Sequence, residues 1–338
     1  MEAILLVGGQ GTRLRPLTEN TPKPMLQVAG LPCTEHQIAK VREAGADRVI
    51  LATSYLAEVF EPSFGDGSRF GVELVYAVEK EPLGTGGAIA NAGQYLRGDD
   101  LVIILNGDIL SGHDLAAQCQ LHRDRNADAT LHLTVVEDAR NFGCVPIDEN
   151  GRVTAFLEKM ENPITNLINA GCYTFSPEFI ATIPQETVVS VERETFPQLL
   201  ERGGAMYGFV DDAYWLDLGN PAAYLKGSVD VVTGALRSPA YLAEPGQSQV
   251  MPGAKVDPSA RIIGGSTINP GAIVEANAIV DGSVVLPNAV IGAGARISQS
   301  IVGTGTRIGA NATVRGPATC IADGVVVPDG VEVTQTLV

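Results

Sequence analysis

Ala3-Ile4-Leu5-Leu6-Val7-Gly8-Gly9-Gln10-Gly11-Thr12-Arg13-Leu14-Arg15-Pro16-Leu17-Thr18 lies at the start of the chain. Five apolar residues without alternation read as a strand buried on both faces. The glycines behind it let a backbone approach a phosphate and aim N–H groups at it. Their spacing matches neither the dinucleotide G-x-G-x-x-G nor a P-loop, which requires Gly-Lys-Ser/Thr. On the glycines alone, a tight turn without a ligand is an equal reading.

Working outward, apolar runs recur at 49–53, 72–78 and 101–105. Helical patterns are expected between them, around 35–44, 56–60, 87–96 and 113–126. This alternation predicts an α/β fold with a Rossmann-like, mostly parallel sheet flanked by helices. Ligands of such sheets sit at the carboxyl ends of the strands. Further strands are expected at 129–136, 153–157, 169–175, 205–210 and 214–216, and a closing helix around 221–236.

The composition changes near residue 240. Tyr241 is the last aromatic, and Lys255 the only lysine beyond it. Aliphatic residues then recur every six: Val256, Ile262, Ile268, Val274 and Val280. After a one-residue slip come Val285, Ile291 and Ile297, and after another Val302, Ile308, Val314, Cys320 and Val326. Six residues make one short strand and one tight turn, and three such units close one coil of a parallel β-helix. The pattern resembles the left-handed hexapeptide-repeat β-helix family over about 250–330. The expected organisation is a catalytic domain at 1–238, a linker at 239–249 and a β-helix at 250–338.

The 338 residues carry 23 Lys+Arg against 39 Asp+Glu, a net charge of −16. That balance excludes a generic nucleic-acid binder, which needs a basic face. No run of 18 apolar residues suggests a membrane span, and the acidic N-terminus lacks the marks of a signal peptide. The five cysteines form neither Zn-like pairs nor a disulfide framework. A reduced, cytoplasmic protein is expected.

Four places carry chemistry. The first is the glycine turn with Arg13 and with Pro22-Lys23-Pro24-Met25, two cations suited to a triphosphate. Prolines on both sides of Lys23 restrict its backbone. The second is Asn106-Gly107-Asp108 at a strand end, paired with Trp215-Leu216-Asp217-Leu218-Gly219-Asn220-Pro221. Carboxylates there suit Mg²⁺, although Asp108 in a turn or Asp217 as a helix cap are open alternatives. The third is Glu79-Lys80-Glu81-Pro82-Leu83-Gly84-Thr85-Gly86-Gly87, where glycines let a flat base approach, with a plain loop into a helix as the open alternative. The fourth comprises Phe142-Gly143, Glu158-Lys159-Met160 and Asn169-Ala170-Gly171. Val191-Glu192-Arg193-Glu194-Thr195-Phe196-Pro197 reads as a solvated helix start without a catalytic role.

Gly-Gly-x-Gly-Thr-Arg-Leu-x-Pro-Leu-Thr followed by Pro-Lys-Pro-Met resembles the sugar-1-phosphate nucleotidylyltransferase (NDP-sugar pyrophosphorylase) family, over nearly the whole chain. Within it, the chain is most similar to the branch that uses GTP and mannose-1-phosphate to make GDP-mannose. The resemblance implies that Asp108 and Asp217 hold Mg²⁺ and that Arg13 and Lys23 neutralise the leaving pyrophosphate. It implies nucleotide contacts from Gly8, Gly9, Gly11, Thr12, Glu79, Gly84, Thr85, Asn106 and Gly107. It assigns the sugar phosphate to Gly143, Glu158, Lys159 and Asn169. Met160 departs from the proline common after this lysine, which bears on the pose of Lys159. Cys33-Thr34 with Glu35-His36-Gln37 departs from large aliphatics, which reads as packing tolerance. The chemistry implied is attack of the sugar phosphate on the α-phosphorus, without a general base.

Other pairs remain open, with UTP, dTTP or ATP, and glucose- or heptose-1-phosphate. A hexapeptide acyltransferase would need a β-helix histidine as base, but His36, His113, His122 and His132 all precede residue 140. A third alternative is a regulatory protein that binds nucleotide sugar without turnover. Stacked coils offer a flat side and an open end, so a homo-oligomer is expected.

Overall fold

The computed structural model describes residues 1–98 and 100–338. The chain divides into two compact units, Met1–Gly9 with Gln37–Trp215 and Gln10–His36 with Leu216–Val338.

The first unit is built from β1 (Glu2–Leu6), α1 (Cys33–Glu43, from Gln37 onward), β2 (Arg48–Thr53), β3 (Glu73–Val78), α2 (Gly84–Gly93), β4 (Val102–Asn106), α3 (Leu115–Asp124) and β5 (Ala129–Val135). It continues with β6 (Gly143–Cys144), β7 (Leu157–Glu158), β8 (Leu167–Phe175) and β9 (Met206–Val210). The sheet order is β7-β6-β8-β4-β1-β2-β3, with β5 beside β8 and β9 beside β5. Strands β4, β1, β2 and β3 are mutually parallel, whereas β8 runs antiparallel to both β4 and β5. All six residues of β2 are buried, the middle four, 49–52, as an apolar run in a covered parallel strand. Ile4, Ile50, Ile104, Leu131, Phe175 and Phe196 share one core, each such side chain contributing ~1.5–3 kcal/mol by leaving water.

Three local expectations shift. Helix α2 begins at Gly84, three residues early, because Gly84 takes φ +72° and leads straight into the helix. Around 56–60, Leu56 turns left-handed, and the buried Phe60 and Phe64 carry a short helix, Phe60–Phe64. The strand expected at 153–157 shrinks to β7, with Val153 making an isolated bridge to Ile147.

The amino ends of the strands carry a closed ion-pair network. Arg48 meets Glu2 at 3.1 Å and Glu73 at 3.2 Å, Arg97 meets Glu73 at 3.0 Å, and the terminal ammonium meets Asp47 at 3.2 Å.

In the second unit the repeat forms a parallel β-helix. Ser248 pairs with Ser266, Lys255 with Ile273 and Arg261 with Ile279, and the coils continue this stacking. Ile268, Val274, Val280, Val285, Ile291, Ile297, Val302, Ile308 and Val314 point inward, as the six-residue series predicts. The last turn differs. Ser298 pairs with Arg315 but Ser300 with Thr319, so β-strand Thr313–Ile321 carries extra residues. The register therefore moves by one, and Ile321, Val327 and Val333 fill the interior. Cys320 and Val326 lie outside that interior, Cys320 still fully buried and Val326 64% exposed. A one-residue slip exchanges the two faces of any strand.

Helix α4 (Pro221–Thr233) covers one face of the coils. Its Ser228 hydroxyl accepts the Ala29 N–H at 2.9 Å and lies 3.4 Å from the Thr267 hydroxyl. Its Tyr224 hydroxyl donates to the Gln27 carbonyl at 2.7 Å. Residues 10–36 and 216–233 thus pack with the repeat.

The histidines are buried and structural. The His36 ring donates from Nε2 to the Val28 carbonyl at 2.9 Å and accepts the Ser238 hydroxyl at Nδ1, 2.6 Å. His113 and His132 stack at 3.8 Å, with Asp211 at 2.9 Å from His132 Nε2. His122 meets the Thr130 hydroxyl at 3.0 Å. Burial is the main cause that lowers His36 and His122 to about 4 and His113 to about 2. All five cysteines are buried, and among the described residues none forms a disulfide; burial pushes the Cys119 thiol up to about 11 and that of Cys320 to about 12.

Because these rings stay neutral in the fold, the unfolded chain binds more protons below its histidine value of 6.5. Stability should be level above that pH and fall by ~1.4 kcal/mol per pH unit per histidine as pH drops towards 4. Urea unfolding at pH 7 and 5 checks this, and equal free energies would contradict it. The shifted register makes a second prediction. Val327→Ala should cost ~2 kcal/mol, whereas Val326→Ala should stay within ~0.5 kcal/mol.

Candidate active site

At the centre of the first unit's sheet, β1 and β4 run in register to Leu6 and Asn106. Strand order reverses at this pair, the place where open α/β sheets bind ligands. The Gly107 N–H donates to the Leu6 carbonyl at 2.9 Å, and a Cβ on Gly107 would stand 2.4 Å from that oxygen. The Ser54 hydroxyl donates to the Gly8 carbonyl at 2.8 Å. Asp108 lies in the turn leading to the short strand Ile109–Ser111. The next helix, α3, is capped by Asp114, whose carboxylate accepts the Ala117 N–H at 2.9 Å. Gln37 Nε2 donates to the carbonyls of Asn106 and Ile109, at 2.7 and 3.3 Å, on either side of Gly107-Asp108.

The glycine-rich segment 83–87, the loop that runs into the first turn of α2, is held from two sides. Glu79 leaves β3 with one carboxylate oxygen accepting the Leu83 N–H at 3.1 Å. The other oxygen is buried without a hydrogen-bond partner, and burial raises its pKa. The Val189 carbonyl accepts from Gly86 at 2.8 Å and Gly87 at 3.3 Å. The Thr85 hydroxyl accepts the Val191 N–H at 2.9 Å and donates to Glu192 at 2.8 Å, so that side chain is fully engaged within the protein.

Strands β6 and β7 set Gly143 opposite Glu158. A Cβ on Gly143 would reach within 3.0 Å of the Glu158 carboxylate and 2.9 Å of the Phe156 ring. Lys159 takes φ +48°, its N–H donates to the Phe142 carbonyl, and its ammonium lies 3.7 Å from Glu158. With a side chain 59% exposed, Lys159 stays available to an anion. Asn169 donates to the Tyr173 hydroxyl at 2.8 Å and accepts the Gly171 N–H at 3.1 Å. Trp215 is a packing residue: its N–H donates to the Ala170 carbonyl and its ring meets Phe142 edge-on.

In the second unit, Gly11 is left-handed at φ +60° and starts the turn Thr12–Leu14. A Cβ there would stand 2.8 Å from Lys23 Cβ. Lys23, between its prolines, is buried, and its ammonium lies 3.8 Å from the Asp217 carboxylate. Asp217 ends strand Trp215–Asp217. The cap of α4 is Asn220, which accepts the Ala223 N–H at 3.0 Å, so Asp217 does not serve as that cap. Arg13 and Asp217 flank Gly219: a Cβ there would be 3.0 Å from an Arg13 guanidinium nitrogen and from both Asp217 oxygens. Two cations and one carboxylate thus come together, a cluster able to bind polyanions and share a cation with them.

Sequence reasoning misjudged two residues. Gln37 stood among the departures from large aliphatics that read as packing tolerance. Glu192 stood in a charged run that reads as solvated.

Among known proteins, residues 2–234 match the model of the "Nucleotidyl transferase" family and residues 245–338 that of the "GMPPB C-terminal domain". The mannose-1-phosphate guanylyltransferase of Mycobacterium tuberculosis (strain ATCC 25618 / H37Rv) is 52% identical over 80% of this chain and 76% of its own. The mannose-1-phosphate guanylyltransferase catalytic subunit beta of Drosophila melanogaster is 37% identical, over 77% of this chain and 70% of its own. The crystal structure of HddC from Yersinia pseudotuberculosis complexed with GMP-PN superposes with a TM-score of 0.57 at 30% identity, covering 67% of this chain and 97% of that one. With the family model spanning more than half of the sequence, and relatives this similar, the chain belongs to the nucleotidyl transferase family.

Proposed function

We propose that this chain is a mannose-1-phosphate guanylyltransferase, making GDP-mannose and pyrophosphate from GTP and mannose-1-phosphate. The observation that carries the reading is the cluster of Arg13, Lys23 and Asp217 behind a glycine turn. It is suited to a triphosphate, and relatives bearing that name match most of the chain.

The sugar phosphate is anionic near neutral pH and attacks unaided, so catalysis rests on positioning and charge neutralisation. Arg13 and Lys23 stabilise the charge that builds on the leaving pyrophosphate. Lys159 holds the incoming phosphate, Glu158 receives sugar hydroxyls, and Gly143 and Asn169 shape that end. The glycines at 8, 9 and 11, with Thr12, Asn106 and Gly107, offer backbone and amide groups to the nucleotide. Gly84 and the backbone of Thr85 lie against the base.

Glu79 supports the choice of GTP. Its unpartnered oxygen is an acceptor suited to the adjacent N–H groups of guanine. Uracil and thymine present one N–H between two carbonyls, and adenine an acceptor at the same ring position.

Members of this family generally use a divalent metal. Asp108 and Asp217 fit Mg²⁺ by donor chemistry. Mg²⁺ takes hard oxygen ligands, needs few carboxylates and completes its shell with water and phosphate. Among the described residues no group of three or more His, Cys, Asp or Glu forms a closed metal cage. When bound, the ion would neutralise phosphate charge.

Pyrophosphate release should be greatest with GTP and mannose-1-phosphate in a panel crossing GTP, UTP, dTTP, ATP and CTP with mannose-, glucose-, galactose- and heptose-1-phosphates. Asp108→Asn and Lys23→Ala should each lower it ~100-fold, the effect of losing one strong charge contact in a transition state. A different preferred pair would overturn the substrate assignment. Binding of nucleotide sugar without release from any pair would overturn the enzyme.

A further inference from the structure

Residues 190–195 have no part in the mechanism above, yet their geometry is unusual. Val191–Thr195 forms a π-helical turn, a rare form that recurs at functional sites. Its capping is complete without Glu192. The Ser190 hydroxyl accepts the Arg193 N–H at 3.2 Å, and the Glu194 carboxylate accepts the Ser190 N–H at 2.9 Å. Glu192 turns elsewhere. One of its oxygens accepts the Thr85 hydroxyl at 2.8 Å and the Ser190 hydroxyl at 3.0 Å. The Val191 N–H closes the arrangement by donating to Thr85. The same segment offers the Val189 carbonyl to Gly86 and Gly87, while its N–H donates to the Leu83 carbonyl at 2.9 Å.

The peptides beside Gly84, Gly86 and Gly87 would otherwise be free to move, since glycine imposes little backbone preference. A Cβ on Gly84 would stand 2.7 Å from the Val189 carbonyl, so loop and turn are in contact over their backbones. One Glu192 carboxylate oxygen accepts both hydroxyl donors.

We infer that Glu192 is a positioning residue for the nucleotide: through Thr85 it holds the loop 83–87 in the shape that receives the base. It touches no substrate, and acts by sparing the loop the cost of ordering when nucleotide binds. The inference rests on the functional reading above for its ligand, but the loop's docking can be measured without turnover.

The test compares Glu192→Ala and Glu192→Gln with the parent chain. In Glu192→Ala, hydrogen exchange at the Gly86 and Gly87 amides should accelerate about tenfold, with β4 amides unchanged. The KM for GTP should rise about tenfold while that for mannose-1-phosphate stays level. Glu192→Gln, whose side-chain carbonyl still accepts both hydroxyls, should remain within about threefold of the parent in both measurements. Unaltered exchange in Glu192→Ala would overturn the inference. So would equal rises in both KM values, or a Gln variant that behaves like Ala and thereby points to a role for the charge itself. If the parent chain releases no pyrophosphate from any pair, the functional reading fails, and the exchange data still decide whether Glu192 holds the loop.

Discussion

A single backbone hydrogen bond, from Gly107 to the carbonyl of Leu6, governs what the first unit can present. It requires two chains to approach so closely that no residue with a side chain fits at 107. In return, β1 and β4 end level, and the chain leaves the sheet at Gly8-Gly9 and at Gly107-Asp108 side by side. The polar residues nearby serve that arrangement: Ser54 fastens the first exit and Gln37 bridges the carbonyls around the second.

The two ends of this sheet differ in how they treat charge. At the amino ends, Arg48 and Arg97 are matched by Glu2 and Glu73, so little attraction for an outside ion remains. At the carboxyl ends, Glu79 keeps a buried oxygen unpartnered. A polar atom left in that state raises the energy of the free protein. That cost is tolerable where a ligand can supply the missing donor.

Much of this was legible in the sequence because it depends on local pattern. The apolar runs at 49–53 and 101–105 could only be buried strands, and the six-residue period placed Ile268 to Val314 on the inside of a coil. The Pro-Lys-Pro framing singled out Lys23. What escaped depends on partners distant in sequence. The Glu192 carboxylate looks like surface charge until Thr85 stands beside it, and Gln37 means little until β4 ends next to it. The last coil misled for a different reason: the extra residues between Arg315 and Thr319 carry no mark, since Gly-Pro-Ala reads as one more corner. The packing of residues 10–36 with the repeat likewise rests on Ser228 and Tyr224, which look like ordinary helix residues.

The five buried thiols also have a bearing on how the molecule ages. Sulfur reacts with oxidants and electrophiles as the thiolate; burial keeps all five out of reach and raises the pKa of Cys119, Cys144, Cys172 and Cys320. Damage therefore waits on transient opening, and its pace is set by the breathing of the surrounding structure rather than by the strength of the reagent. Cys119, Cys144 and Cys172 belong to one compact unit and Cys33 and Cys320 to the other. Each unit so carries its own chemical clock, and the order in which the sulfurs are lost would record which of the two loosens first.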